Sequence, residues 1–138
     1  MTKLYIEIES SKNKIKDVEA LMLKANEGFG LPVDEYNKMM IAVTEVVMNA
    51  IVHGNKESSK KKVKVFVEYS NEYMKTVVMD EGEGFEIMHL PDPTTTENIL
   101  DLHGRGVFIA KAMVDEFFYQ HLEGNGSEFV LIVKKKQP

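Results

Sequence analysis

A glutamate and an asparagine one helical turn apart are the residues of this chain best suited to chemistry. Glu45 and Asn49 lie in the segment from Met39 to Val52, where Thr44 is the only other polar residue. A helix this apolar is buried over most of its surface, and residues four apart lie on the same face. There, a carboxylate can accept a proton and an amide oxygen can bind a metal ion.

Two interpretations of this pair are equally consistent with the sequence. In the first, Glu45 forms an ion pair with a basic residue from another element, and Asn49 satisfies a backbone group. No lysine or arginine lies one turn from Glu45 on the helix itself, and an unpaired buried carboxylate is costly. In the second, the pair faces a polar cleft, in which Glu45 is a general base and Asn49 is a metal ligand.

The second candidate is the acidic, glycine-containing segment that begins at Asp80, directly after an apolar predicted strand. An ionised carboxylate only accepts hydrogen bonds, so Asp80 could bind an exocyclic amine such as that of adenine. Gly82 and Gly84 allow the backbone to turn sharply and to approach a ligand closely. Taken alone, this DxGxG pattern is equally consistent with an acidic turn of no function.

Two further glycine-containing segments precede predicted elements, and the first of them is suited to a phosphate. Gly104-Arg105-Gly106 precedes a predicted helix, whose free backbone N–H groups and dipole favour an anion. Arg105 could add a bidentate phosphate contact. Gly126-Ser127 opens the last predicted strand. Either segment alone is also typical of an ordinary tight turn.

Several other kinds of nucleotide-binding and catalytic site are excluded because the sequence lacks their motifs. The chain has no GxxxxGK[ST], HExxH or GxSxG motif. A dinucleotide fingerprint fails because Ile87 stands where its third glycine is needed. There is no cysteine, which rules out disulfides and thiol catalysis.

The length and composition of the chain are typical of an ordinary globular domain. With 138 residues, the chain is the size of a single domain, which we expect to span residues 1–138. Its net charge of -5 argues against direct binding of nucleic acid. No stretch approaches the roughly 18 apolar residues of a membrane span, and the N-terminus lacks the apolar core of a signal peptide. We therefore expect a cytoplasmic protein with no membrane contact.

The elements that must position these residues follow from periodicity. Residues 81–103 contain two prolines and no clear period, which is typical of a functional or mobile loop. The order of elements predicts the α+β class, as a two-layer α/β sandwich with a mixed sheet covered on one face by helices. The predicted elements are a strand at 4–8, a helix that begins at 14, has its clear apolar period to 23 and is ended by Gly28 and Gly30, a helix at 32–53, strands at 63–67 and 73–79, a helix at 107–116, and strands near 117–122 and 128–133.

Together, and in this order, the four motifs resemble those of the GHKL ATPase superfamily, which includes gyrase, Hsp90, histidine kinases and MutL. ExxxN at Glu45–Asn49 is similar to its N box, and DxGxG at Asp80–Gly84 to its adenine-side loop. Gly104-Arg105-Gly106 is similar to its second glycine box, and Gly126-Ser127 to its final Gly-Thr/Ser. The resemblance implies the Bergerat ATP-binding fold, with ATP and Mg²⁺ bound and an ATP lid at about 86–103.

Three stretches further resemble the bacterial anti-sigma-factor serine/threonine kinases. These are Thr44–Gly54, Pro91-Asp92-Pro93-Thr94 in the lid, and Gly106–Ile109 followed by Met113–Glu116. Members of that family transfer the γ-phosphate of ATP to a serine or threonine of an anti-anti-sigma (STAS-domain) partner. They also sequester a sigma factor, usually as a homodimer.

The resemblance implies a role for each motif residue. Glu45 would be the general base, Asn49 would coordinate Mg²⁺, and Asp80 would bind the adenine amine. The remaining nucleotide-binding residues would be Gly82, Gly84, Gly104, Arg105, Gly106 and Ser127.

Three functions follow from these patterns. The first is a protein kinase that also acts as an anti-sigma factor, and the second is a nucleotide-dependent partner-switching module without phosphotransfer. The presence of Glu45 favours the first, because a module that only binds needs no base. The third is a structural domain in which the motifs are accidental.

Overall fold

Five strands and three α-helices make up the part of the chain that the computed structural model describes, namely residues 1–82, 102–122 and 126–136. The side chains of residues 102–105 and 122 are not included in that description. In chain order the elements are β1 Thr2–Glu9, α1 Ile15–Phe29, α2 Val33–Asn49, β2 Lys62–Tyr69, β3 Tyr73–Asp80, α3 Leu102–Met113, β4 Glu116–Leu122 and β5 Gly126–Lys134.

The strands form one sheet in the order β1-β2-β3-β5-β4, and every pairing between these described strands is antiparallel. The predicted α+β class is confirmed, but the expectation of a mixed sheet is wrong. The connection through α3 carries β4 to the edge of the sheet, and the hairpin that follows returns β5 between β3 and β4. Alternation of apolar residues reveals a strand but not the direction of its neighbours, so the sequence pattern could not settle this point.

The core lies between the helices and one face of the sheet. On β2, Val63, Val65 and Val67 are buried while the residues between them are half-buried or exposed, as expected for a sheet covered on one side. Helix α1 buries a stripe at the spacing of an amphipathic helix, which consists of Ile15, Val18, Met22, Ala25 and Phe29. Helix α2 packs on α3, and both helices contribute buried side chains to the same core, among them Val46 and Val107.

Helix α1 runs to the two glycines, Gly28 and Gly30, that the sequence predicts as its end. Its apolar stripe continues through Ala25 and Phe29, and it ends at Gly30, which adopts a left-handed conformation with φ of 86°. That conformation is costly for any residue with a β-carbon. Helix α2 then begins directly after Pro32, as predicted.

The predicted second helix ends in two stages. The α-helix stops at Asn49, and one π-helical turn, Ala50–Gly54, follows it. The amide of Asn55 donates to the carbonyl of Ala50 over 2.8 Å, the wider spacing that defines this turn. Such turns are frequent at functional sites, and this one starts directly after Asn49. None of the described helices is long and apolar enough to cross a bilayer.

Candidate active site

Helix α3 crosses α2 where Glu45 and Asn49 lie. The contact is made at Gly106, whose backbone approaches both side chains. A β-carbon at Gly106 would be 2.7 Å from Oε2 of Glu45 and 3.4 Å from Nδ2 of Asn49. The structure therefore brings together three residues that come from two separate sequence motifs.

The orientation of the Asn49 amide is set by one hydrogen bond. Its Nδ2 donates to the backbone carbonyl of Glu45 over 2.7 Å, and because a carbonyl oxygen only accepts, the NH₂ group must be the end that faces it. The other end, Oδ1, is buried and has no hydrogen-bond partner within the described ranges. Buried polar atoms are nearly always paired, so this oxygen is a candidate ligand-binding atom.

The chemistry of this oxygen fits Mg²⁺. Magnesium prefers oxygen ligands and usually keeps several waters or phosphate oxygens beside one or two protein ligands. No group of three or more His, Asp or Glu side chains in the described parts of the chain is arranged to hold a metal ion. A metal at this position would therefore be held by Asn49 together with oxygens that the substrate and solvent supply.

Glu45 is half-buried beside Asn49. Among the described side chains, Lys134 and Glu116 form an ion pair at 3.3 Å, whereas Glu45 has no basic partner. The first interpretation of the pair required an ion pair between Glu45 and a basic residue from another element. The described side chains do not support it. The carboxylate is positioned by packing against α3.

Asp80 lies at the end of β3 with only 3% of its surface exposed. Its Oδ1 accepts hydrogen bonds from the backbone amides of Gly82, over 2.9 Å, and of Ser127, over 3.2 Å. Oδ2 lies against Gly54, where a β-carbon would come within 2.6 Å of Cγ. One carboxylate oxygen is thus held by the protein, and the other faces the π-helical turn.

Burial dominates the ionisation of this carboxyl group. Removal from water raises the pKa of Asp80 above its ordinary value of 3.8, because the charged form loses its hydration. The two amide hydrogen bonds and the electrostatic influence of His121 and Lys61 lower the pKa of Asp80 but do not cancel the effect of burial.

Glycines allow three backbone segments to meet around Asp80. A β-carbon at Gly82 would overlap the carbonyl group of Gly54, and one at Gly126 would overlap the carbonyl of Asp80. Gly126 also has a φ of 91°. The local sequence around Gly54 predicts a helix stop, and that around Gly126 predicts the start of a strand. Their role in closing this site depends on contacts between distant segments.

Asn55 is a positioning residue that the sequence analysis missed. Its Nδ2 donates to Oγ of Ser10 over 2.9 Å and to the carbonyl of Lys62 over 3.0 Å, and its Oδ1 accepts from the amide of Glu81 over 2.7 Å. A single buried side chain thereby ties the end of β1 and the start of β2 to the loop that follows Asp80. An asparagine after a glycine is a common helix stop, so no local signal distinguished it.

Ser127 contacts Asp80 and two residues that the sequence analysis did not select. It lies opposite Asp80 on β3 and opposite His121 on β4. Its Oγ is 3.1 Å from the hydroxyl of Tyr119 and 3.3 Å from Nδ1 of His121. Ser127 is buried, and it positions the carboxylate of Asp80 through its amide.

The second glycine box differs from its predicted placement. Helix α3 begins at Leu102, not at Val107, and it ends at Met113 because Glu116 already begins β4. Gly104 and Arg105 therefore lie in the first turn, where backbone N–H groups still have no acceptor within the helix. Gly84, residues 86–101 of the expected lid and the side chain of Arg105 lie outside the description.

The sequence matches a known family over most of its length. The family described as "Histidine kinase-like ATPase domain" matches residues 8–133. The serine-protein kinase RsbW of Staphylococcus epidermidis is 30% identical over 115 residues, which cover 78% of this chain and 72% of that protein. The anti-sigma F factor of Clostridium novyi is 29% identical over 140 residues, with coverage of 91% and 96%.

Solved structures share the fold. The structure of the RsbU and RsbW domains of a Mycobacterium tuberculosis protein superposes with a TM-score of 0.72 at 20% identity, over all of this chain and 34% of that one. The catalytic domain of the histidine kinase ThkA superposes with a TM-score of 0.57 at 14% identity, over 96% of this chain and 97% of that one.

Proposed function

Because this chain belongs to the histidine kinase-like ATPase domain family, we propose that it is an ATP-dependent serine/threonine protein kinase of the anti-sigma-factor type. Its substrate is a serine or threonine of an anti-anti-sigma (STAS-domain) protein, and it also sequesters a sigma factor. ATP and sigma factors both occur in the cytoplasm, which is where we place this activity.

The observation that carries the proposal is the Oδ1 of Asn49, which lies beside Glu45 and Gly106 and has no hydrogen-bond partner among the described residues. Phosphoryl transfer depends mainly on positioning and on neutralising the phosphate charges. Bound Mg²⁺ supplies that neutralisation, and Asn49 is the residue that would hold it. Leaving this oxygen unpaired would cost stability in a protein with no ligand to bind there.

Glu45 is proposed to act on the attacking hydroxyl. As the hydroxyl oxygen of the partner's serine or threonine bonds to the γ-phosphorus, its proton passes to the Glu45 carboxylate. The bond from the γ-phosphorus to the bridging oxygen breaks in the same reaction, and ADP leaves with that electron pair. A positioned carboxylate of this kind contributes roughly 10²–10⁴ in rate.

Asp80 is proposed to select adenine. Its Oδ1 already accepts two backbone amides, and its Oδ2 faces the π-helical turn at Gly54. An exocyclic amine that donates to this carboxylate would gain a charge-assisted hydrogen bond.

A route for the partner's hydroxyl is present at the surface. Glu45 lines a groove of about 730 Å³ between α1 and α2. Its wall includes Leu23 and Ile41, which are 52% and 45% exposed. A loop of a second protein could enter this groove and bring its hydroxyl to the carboxylate. This supports a protein substrate in preference to a small molecule enclosed within the site.

The test is transfer of labelled phosphate. The chain is incubated with γ-labelled ATP, Mg²⁺ and STAS-domain proteins of the same organism, and the label should appear on a serine or threonine of one of them. A partner in which that residue is replaced by alanine serves as the control. The alternative, a partner-switching module without phosphotransfer, predicts nucleotide-dependent binding of the same partner with no label.

A further inference from the structure

Three polar side chains lie in a row on the helix-covered face of the sheet, one on each of three neighbouring strands. Asp80 on β3 is paired with Ser127 on β5, and Ser127 is paired with His121 on the edge strand β4. Tyr119 precedes His121 by two positions on β4 and therefore lies on the same face. The row leads from the candidate adenine carboxylate to the outer edge of the sheet, where His121 is exposed to solvent.

The hydroxyl group of Ser127 is shared between the two β4 side chains. Its Oγ is 3.1 Å from the hydroxyl of Tyr119 and 3.3 Å from Nδ1 of His121. The ring of Tyr119 packs on the buried ring of Phe129, with the two centroids 4.9 Å apart, and this contact holds its hydroxyl beside Oγ. Ser127 is only 1% exposed, so its hydroxyl depends on protein partners.

Each of these two partners can accept the Ser127 hydrogen. A tyrosine oxygen accepts as well as donates, and a ring nitrogen of histidine accepts when it carries no proton. If Nδ1 of His121 is unprotonated, Ser127 can donate to it. If Nδ1 carries a proton, it donates to Oγ, and the Ser127 hydrogen can turn to the Tyr119 oxygen. The hydrogen therefore has an acceptor on β4 in either state of the histidine.

The competing acceptor is the carboxylate that is proposed to bind adenine. The amide of Ser127 already donates to Oδ1 of Asp80 over 3.2 Å. Among the described side chains that hydrogen-bond with Ser127, Asp80 is the only carboxylate. A hydrogen bond from a hydroxyl to a carboxylate is charge-assisted and is stronger than one to a neutral acceptor. A Ser127 hydroxyl released from β4 would therefore compete with the adenine amine for Asp80.

We propose that Tyr119 and His121 are positioning residues of the adenine site. They hold the Ser127 hydroxyl on the β4 side and so keep the carboxylate of Asp80 available to the exocyclic amine. This inference rests on the proposed role of Asp80 in binding adenine. Neither β4 residue needs to touch the nucleotide, because both act through Ser127. Tyr119 provides an acceptor that does not depend on pH, whereas the acceptor on His121 is lost when the imidazole is protonated.

Charged groups near His121 come from several segments. Asp80 lies in the same row on β3, and Lys61, in the segment before β2, acts on the carboxylate of Asp80 together with His121. Glu128 on β5 alternates to the opposite face of the sheet. None of these groups is altered when Tyr119 is replaced by phenylalanine. Any new pH dependence of that variant is therefore due to the Tyr119 hydroxyl.

The first experiment measures how well the site distinguishes adenine from hypoxanthine. ADP and IDP share their ribose and phosphates, but IDP has a carbonyl oxygen in place of the exocyclic amine. The IDP dissociation constant divided by that of ADP therefore reports on the contact with Asp80, and a general loosening of the site leaves this ratio unchanged. Tyr119→Phe/His121→Leu should lower the ratio roughly 2- to 10-fold, the contribution of about one hydrogen bond.

Two controls make this measurement decisive. Tyr73→Phe removes the hydroxyl of a half-buried tyrosine at the other end of β3 and should leave the ratio unchanged. In a Ser127→Ala background, which has no hydroxyl to turn, the two β4 replacements should also have no effect. An equal loss with and without the Ser127 hydroxyl, or no loss in either background, would overturn the proposal. A wild-type chain that binds ADP and IDP equally well would contradict the role of Asp80 itself.

The second experiment follows the same ratio with pH in Tyr119→Phe. At high pH the variant should select ADP as the wild-type chain does, because Nδ1 of His121 accepts the Ser127 hydrogen. As the pH falls through the range in which histidine side chains become protonated, roughly pH 8 to 5, its ratio should fall below that of wild type. A role of Tyr119 in packing alone would shift both nucleotides equally at every pH. Parallel profiles of variant and wild type would therefore refute the positioning role.

Discussion

The backbone of Gly106 on α3 passes so close to the carboxylate of Glu45 on α2 that a β-carbon there would be 2.7 Å from Oε2. This contact explains how a half-buried carboxylate keeps its position without a basic partner among the described side chains. It also makes the position of Glu45 dependent on α3, the helix that carries the second glycine box.

The first prediction is that Gly106→Ala impairs phosphate transfer more than it impairs folding. The added methyl meets the end of a flexible side chain, so Glu45 can move aside and the fold should persist. A displacement of about 1 Å at a reacting group can cost on the order of 100-fold in rate. Transfer assays and urea denaturation measure the two effects, with Lys111→Ala on the exposed side of α3 as the control. Unfolding of Gly106→Ala would contradict this prediction.

Asn49→Ala should remove the dependence of nucleotide binding on Mg²⁺. The wild-type chain should bind ATP more tightly with Mg²⁺ than with EDTA, and in the variant this gain should shrink roughly 10- to 100-fold, as is typical of changes around a metal. Titration calorimetry in both conditions is the measurement. If the ratio of the two affinities is the same in wild type and variant, Asn49 is not a metal ligand.

Asp80→Asn should weaken adenine nucleotide binding. In the absence of nucleotide, the stability of the variant relative to wild type should increase as the pH rises. The pKa of Asp80 is raised above 3.8, so the folded state binds this proton more tightly than the unfolded state does. The stabilisation is complete below pH 3.8 and is lost as the pH rises through the raised folded-state pKa. The unfolding free energy of the variant minus that of wild type should therefore increase from pH 4 to pH 7.

Two measurements check the Asp80 prediction. Urea denaturation across this pH range gives the stability difference, with the exposed Asp34→Asn as the matched control. Titration with ADP gives the affinity, which should fall because the new amide places a donor where the adenine amine also donates. Unchanged ADP affinity would remove Asp80 from the adenine site, whatever the stability data show.

Asn55→Ala should destabilise the protein and loosen the loop after Asp80. The substitution leaves the amide of Glu81 and the carbonyl of Lys62 without the partner they have now. A fully buried group left unpaired costs about 1–3 kcal/mol, and because both groups are only partly buried, we expect a loss at the lower end of this range. Chemical denaturation should show a loss of this order for Asn55→Ala and little change for Asn71→Ala, in the exposed turn between β2 and β3. Equal stability of the two variants would exclude the proposed role of Asn55.

Properties that depend on short stretches of sequence were predictable. The strand alternation around Val63 and Val65, the start of α2 at Pro32 and the shared face of Glu45 and Asn49 all follow from local spacing. The antiparallel sheet and the contacts of Gly54 could not be predicted from local spacing, because both depend on which distant segments become neighbours. Helix α3 starts earlier than predicted because glycine, although unfavourable in a helix, is accepted where it lets α3 approach α2.

The apolar residues on the face of the sheet opposite the helices had a local signal that could have been used. On β2, Phe66 interrupts the alternation of buried valines with charged residues, and on β4, Phe118 follows Phe117 directly. An apolar residue on each face of a strand departs from the alternation expected when only one face is covered. Only the strand register shows that these residues join Tyr5, Val77 and Val130 in one stripe.

The comparison that separates catalysis from binding is Glu45→Gln against Asn49→Ala. Glutamine keeps the size and packing of Glu45 against Gly106 but cannot serve as a general base. We therefore expect Glu45→Gln to bind Mg²⁺ and ATP with nearly wild-type affinity while transfer falls by about 10²–10⁴. Asn49→Ala should instead lose both nucleotide affinity and phosphate transfer, because the Asn49 oxygen would hold Mg²⁺ before the chemical step.

Single-turnover transfer with the same STAS-domain partner and saturating ATP is the measurement for Glu45→Gln, since it excludes product release from the rate. Circular dichroism and the urea midpoint report whether the variant is folded, and nucleotide titration reports whether the site is intact. A folded, nucleotide-bound Glu45→Gln that transfers phosphate at the wild-type rate shows that the base is elsewhere. A folded, nucleotide-bound wild-type chain that transfers none shows that the partner-switching module is the better account, because Glu45 would then have no proton to accept.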